Sequence, residues 1–150
     1  MAKLTVLLKL ESDKEEKLRG DFLTAQQHQR MHQQKLDGLS QFRGEYMTQL
    51  MSKAQGGLSS AGFSHYQKFI SKIDQAIEQQ TQVVDTAKKV AEQRQILWQT
   101  QRIRKEAVAK LIEKQEQKKQ ALLAKAEQKM LDEFATNQFF ARRAIQNTGT

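Results

Sequence analysis

The stretch Ala54-Gln55-Gly56-Gly57-Leu58-Ser59-Ser60-Ala61-Gly62-Phe63 decides the fold. Three glycines and two serines in so short a run break a helix, because glycine gains backbone freedom and serine competes for backbone hydrogen bonds. On either side the composition is the opposite. From Ser64 to Thr136 there is no glycine, proline or asparagine, and Gln, Lys, Glu, Ala, Leu and Arg dominate. These residues lose least on entering a helix. The pattern predicts one helix over about 4–53, a loop over about 54–63, a second helix over about 64–143, and a frayed end at 144–150. Ser12 with Glu15 could begin the first helix as a capping box, and the leucines before it could extend it; both starts stay open. The whole of 1–150 reads as one coiled-coil domain, all-α, built from two long helices in an antiparallel hairpin.

Heptad spacing supports the hairpin. In the first helix the inward positions are Leu4, Leu8, Glu11, Glu15, Leu18, Phe22, Ala25, Gln29, His32, Leu36, Leu39, Arg43, Tyr46 and Leu50. In the second they are Tyr66, Ile70, Ile73, Ile77, Gln80, Val84, Ala87, Ala91, Arg94, Trp98, Gln101, Lys105, Val108 and Ile112. Folded about the glycines, Leu50 meets Tyr66, Tyr46 meets Ile70, Leu18 meets Trp98 and Leu4 meets Ile112. Polar residues at Gln29, His32, Arg43, Gln80, Arg94 and Gln101 weaken this seam and help set its register. Arg43 and Arg94 can lay their stems on it with their heads in water. The second helix then overhangs: residues from about 113 onward have no intrachain partner. Yet they carry Leu122, Leu123, Met130, Leu131, Phe134, Phe139 and Phe140, an apolar face that calls for another protein.

Hydrophobic residues form 38% of the 150-residue chain, enough for one seam but not for a thick core. Net charge is +8, and most of the excess falls after residue 100. Lysines and arginines there alternate with glutamates at spacings that allow pairing along the helix, so a solvated face explains them better than a phosphate-binding surface. No nucleic-acid partner is expected. The N-terminal leucine run is too short for a secretory signal or a membrane span, and the absence of cysteine fits a cytoplasmic, soluble protein. His28 and His32 stand one helical turn apart but lack a third ligand, so no metal is expected. No nucleophile elbow, phosphate loop or paired carboxylates occur, and no cofactor is called for; the chain reads as a non-enzyme. Along one edge of the seam run Phe42, Phe69, Ala76, Val83, Val90 and Leu97. They either widen the intramolecular seam or form a lateral docking patch near the turn.

Three segments at their mutual spacing carry a resemblance. They are Leu36-Asp37-Gly38-Leu39-Ser40-Gln41-Phe42-Arg43-Gly44-Glu45-Tyr46, Tyr66-Gln67-Lys68-Phe69-Ile70 with Ile73 and Ala76, and Lys129-Met130-Leu131-Asp132-Glu133-Phe134-Ala135. Together they resemble the FliJ family of flagellar type III export proteins over nearly the whole chain. The resemblance implies a stalk-like coiled coil, similar to the stalk of the rotary F1 ATPase. Its implied partners are the export ATPase FliI, the export gate FlhA, export chaperones and FliH, with peripheral placement at the cytoplasmic face of the inner membrane. It further implies that Leu36, Leu39, Phe42, Tyr46, Phe69, Ile73 and Ala76 meet the gate. Lys129, Leu131, Asp132, Glu133 and Phe134 would meet the ATPase. Of the gate set, Leu36, Leu39, Tyr46 and Ile73 also occupy inward positions, where they are expected to shape the patch from beneath. Two other readings are the equivalent stalk of a virulence secretion system and a basic coiled-coil tether for nucleic acid or anionic membrane.

Overall fold

Gly57 is where the chain turns. Its φ of 88° lies in the left-handed region that side-chain-bearing residues rarely adopt. A glycine there ends a helix by turning the backbone away from its axis. In the computed structural model, which describes residues 2–148, α1 spans Ala2–Gln55 and α2 spans Ser60–Thr148. The last turn of α1 tightens, with the Gly56 and Gly57 amides donating to the Lys53 and Ala54 carbonyls at 3.1 and 3.3 Å. The loop is shorter than its composition predicts because Ser59 acts as a cap. Its hydroxyl oxygen accepts from the Gly62 amide at 3.1 Å and its carbonyl accepts from Phe63 at 2.9 Å. Helix α2 therefore picks up at Ser60 rather than near Ser64. It also continues past residue 143 to Thr148, whose hydroxyl donates back to the Ala144 carbonyl at 2.9 Å. Residues 149 and 150 of the expected frayed end lie outside the described residues. Helix α1 begins at Ala2, so Ser12 is a helix-interior residue and caps nothing.

The chain divides into two compact units, Glu11–Ile103 and Met1–Leu10 with Arg104–Thr150. In the first, α1 and α2 run antiparallel about a single seam. Every expected inward position of α1 from Glu11 to Leu50 is buried or half-buried. The same holds for α2 from Tyr66 to Gln101, with Arg94 the exception. The register also falls where the heptads put it. Trp98, expected level with Leu18, stacks on Phe22 at 5.6 Å and donates its indole N–H to Glu15 at 2.9 Å, one turn to either side. Tyr46, expected opposite Ile70, lies between Tyr66 and Phe69.

Among the described residues, Ala25, Leu50, Ile73, Val84 and Ala91 are the buried apolar ones, and Gln80 and Gln101 the buried polar ones. Both glutamines are satisfied across the seam. The Gln80 amide donates to the His32 carbonyl at 2.9 Å, and the Gln101 amide donates to the Glu11 carbonyl at 3.0 Å and to its carboxylate. Carbonyls inside a helix already accept one bond, and their second lone pair takes these amides. Among the described residues no buried side-chain nitrogen or oxygen is left without a partner.

In the second unit Leu4 and Leu8 of α1 are half-buried, as are Lys105, Val108 and Ile112 of α2. The seam ends there. Every described residue from Glu113 to Thr148 is exposed, so α2 overhangs as a single helix.

Replacing Ile73, which is 6% exposed, by alanine should cost about 2–5 kcal/mol. Gly57→Ala should cost about 1–2 kcal/mol through its left-handed backbone alone. Urea unfolding followed by helical circular dichroism measures both, and a loss much smaller at Ile73 than at Gly57 would contradict the seam described.

Candidate docking surfaces

Near the turn, helical spacing on both helices brings four rings together. Phe42 and Tyr46 share a face of α1 one turn apart, and Tyr66 and Phe69 do the same on α2. Tyr46 sits at the centre, 4.6 Å from Phe69 and 5.2 Å from Tyr66 by ring centroids. Phe42 closes the cluster at 6.3 Å from both Tyr46 and Phe69, edge-on to the latter. The Lys53 ammonium donates to the Tyr66 hydroxyl and lies 5.2 Å from the ring centre. Phe42 and Phe69 remain 46% and 37% exposed, so the cluster has a wet apolar side. Amphipathic rings of this kind, rigid and partly desolvated, are suited to anchor a partner.

The seven residues tied by resemblance to the gate divide by depth around this cluster. Phe42 and Phe69 are exposed; Leu36, Leu39, Tyr46 and Ala76 are half-buried; Ile73 is buried beneath them. Tyr46 is therefore both a seam residue and a member of the ring cluster. Tyr66, assigned to the seam alone from its heptad position, joins it too. The signal lay in its spacing of three from Phe69, which, like the spacing of four between Phe42 and Tyr46, puts two rings on one helix face.

The two flanks of the hairpin differ. On the polar flank Arg43 pairs with Asp74 across the seam, Nε to Oδ1 at 2.5 Å. Arg43 keeps its head at the surface as expected, its side chain 39% exposed, and there it meets a carboxylate whose hydrogen bond and charge hold the guanidinium more firmly protonated than usual. On the apolar flank Ala25, Ala87, Val83 and Val90 line a groove of about 860 Å³, rimmed by His28, His32, Asp21 and Arg94. The small alanines leave the space and the valines make it apolar. His28 and His32 both border it, and no group of three metal-ligating side chains occurs among the described residues.

On the overhang, Lys129, Leu131, Asp132, Glu133 and Phe134 are all exposed. Asp132 accepts from the Gln128 amide at 3.1 Å, and its carbonyl accepts from the Thr136 hydroxyl at 2.8 Å, ties within the helix that leave the apolar side chains untouched. Met130 and Phe134 are 71% and 62% exposed. No helix among the described residues is long and apolar enough to cross a membrane.

The described residues form a two-helix antiparallel coiled coil with exposed apolar faces, which places the chain in the class of all-α helical hairpins. The family model described as flagellar FliJ protein matches residues 1–144, and the chain belongs to that family of flagellar export proteins. Neither a curated protein nor a solved structure matches the chain.

The ring cluster has a pH signature. Burial, and then the neighbouring Tyr66, raise the Tyr46 phenol above the usual value of 10.0, and the bond to Tyr66 raises Lys53 above 10.5. Groups raised by folding hold more protons in the folded state, so their contribution is present at neutral pH and is lost as pH rises through the folded values. Stability to urea should decline above about pH 10. Tyr46→Phe should flatten part of that decline; an identical pH profile in the variant would contradict the assignment.

Proposed function

We propose that the chain is a non-catalytic, stalk-like component of the flagellar type III export apparatus that links its ATPase to its gate. The overhang of α2 binds the ring-forming ATPase FliI through Leu131 and Phe134, with Lys129, Asp132 and Glu133 around them. The ring cluster near the turn, with Phe42 and Phe69 outermost, binds the gate FlhA. Ile73 supports that patch from beneath, and Leu36, Leu39, Tyr46 and Ala76 form its partly covered margin. Export chaperones and FliH are further partners, and contact with the gate holds the protein at the cytoplasmic face of the inner membrane.

Family membership supports the setting, and the observation that carries the mechanism is the helix beyond Ile112. An isolated helix is marginal in water, and most helical stability in proteins comes from packing an apolar face. Here such a face is exposed over the whole described length from Glu113 to Thr148. One asymmetric helix against a six-fold ring meets only some subunits at a time, which biases ring assembly and couples its state to the gate.

Removing residues from about 125 onward should abolish ATPase binding while the hairpin, whose seam ends at Ile112, stays folded. Phe42→Ala with Phe69→Ala should lower gate affinity about tenfold or more at unchanged helicity. Calorimetric titration against each partner reads both effects. Full ATPase binding by the truncated chain, or full gate binding by the double variant, would remove the corresponding half of the mechanism.

A further inference from the structure

Within Glu11–Ile103 the two flanks of the hairpin differ in charge as well as in polarity. Over the middle of the hairpin, residues 16–37 of α1 and 74–95 of α2, cationic and acidic side chains are equal in number, seven of each. They are not mixed. The groove is bordered by Asp21 and Arg94, and steps of seven from its lining residues Thr24 and His28 put Lys17 and Lys35 on the same side. Three cations there face a single acid. On the polar flank, steps of seven from Ser71 bring Glu78, Asp85 and Glu92 into line beside Asp74. With Glu16 and Asp37 these acids outnumber Arg19, Arg30 and Lys88 by six to three, and Lys89 takes the outer face. The middle of the hairpin is thus neutral in sum and polarised from side to side.

The positive side is also the apolar side. Val83, Val90 and Leu97, which stood either to widen the seam or to stay open, stay 40%, 39% and 41% exposed. Among the described residues none of Lys17, Lys35 and Arg94 has an ion-pair partner. From Asp21 to His32 the groove runs three turns of α1, about 17 Å. A trough between two parallel helix axes takes the ridge of a third helix. A lipid surface, being flat on this scale, would rest on the rim and leave the floor at Ala25 and Ala87 uncovered. The overhang of a second copy would fit the trough in shape but not in charge. Over 113–148 its cations outnumber its acids by seven to five, so it would bring like charge to Lys17, Lys35 and Arg94.

We propose that this groove seats an acidic amphipathic helix of another protein, as the third helix of a local three-helix bundle. The apolar ridge of that helix lies on Ala25, Ala87, Val83 and Val90, and its carboxylates lie toward Lys17, Lys35 and Arg94. Opposite charges along the two edges fix how the incoming helix is rotated and exclude basic helices of the same shape. Phe42, Phe69 and the overhang do not line the groove, so they stay open when it is filled. The surface rests on no part of the function proposed above.

The probe is a fluorescent synthetic helix of about five turns, with leucine and alanine along one stripe and glutamate on both sides of it. Its counterpart carries lysine in place of every glutamate. By anisotropy with the full chain, the glutamate peptide should bind about tenfold or more tighter than the lysine peptide, and raising the salt should narrow the gap. Val83→Glu with Val90→Glu changes exposed positions only, so helicity should hold while binding of the glutamate peptide is lost. Lys35→Glu with Arg94→Glu should move the preference toward the lysine peptide. The chain has no cysteine, so a photoreactive benzophenone can be placed at will. On Thr86→Cys, in the groove, it should capture the glutamate peptide; on Thr81→Cys, seven residues from Asp74 on the polar flank, it should not. Equal binding of the two peptides, no binding of either, capture from both positions alike, or binding untouched by the glutamate substitutions would each overturn the proposal. Vesicles half of phosphatidylserine that bind the parent chain but not the Val83→Glu, Val90→Glu variant, with the peptide unbound, would assign the groove to a membrane instead.

Discussion

A seam between two helices has no second layer behind it. Each inward side chain meets only the facing helix, so a slip of one turn would replace every contact at once. Register is therefore the constraint on which the hairpin depends. Leucine on leucine tolerates slippage, and what opposes it is the set of directional contacts spread along the seam. Gln80 reaches the His32 carbonyl, Gln101 reaches Glu11, Trp98 reaches Glu15, and Arg43 reaches Asp74. Each works at one alignment only. Their net contribution to stability is modest, about 1 kcal/mol for a typical hydrogen bond, but a slipped seam would leave both buried amides unpaired. Apolar burial holds the helices together, and the polar residues decide which residues face which.

The same residues explain what could be read from the sequence. Hairpin, seam positions and register were all legible, because apolar residues at alternating steps of three and four leave little choice of face and Gly56-Gly57 leaves little choice of turning point. The boundaries were less so. Ser59 and Gly62 look like loop in composition, but a serine in that place satisfies the first amides of a helix, and only geometry separates the two roles. Arg94 holds an inward position by spacing and, as expected of a long cation, its charged end lies out of the seam, at the rim of the groove beside Ala87 and Val90. The Asp74 partner of Arg43, by contrast, was missed. It stands beside the seam and not in it, and spacing rules assign such flanking residues to solvent.

For the candidate surfaces, exposure was legible and assembly was not. Phe42 and Phe69 occupy flanking positions, so their accessibility follows from the heptad. Their meeting with Tyr46 and Tyr66 depends on how far each ring leans along its helix, which no periodicity encodes. The overhang was the easier inference, since the two helices differ in length by simple counting from the turn.

Because the reversal lies at one end, separation in the chain between facing residues grows steadily away from Gly57. Leu50 and Tyr66 are close neighbours along the backbone, while Glu11 and Gln101 are joined only through nearly the whole hairpin. Contacts beside the turn close small loops at little entropic cost, and distant ones close large loops. The hairpin thus behaves as a zipper fastened at the ring cluster, and its teeth cost more to close with each turn toward Glu11 and Gln101. Strain applied away from the turn therefore parts the helices from their open end inward, while the aromatic end stays shut.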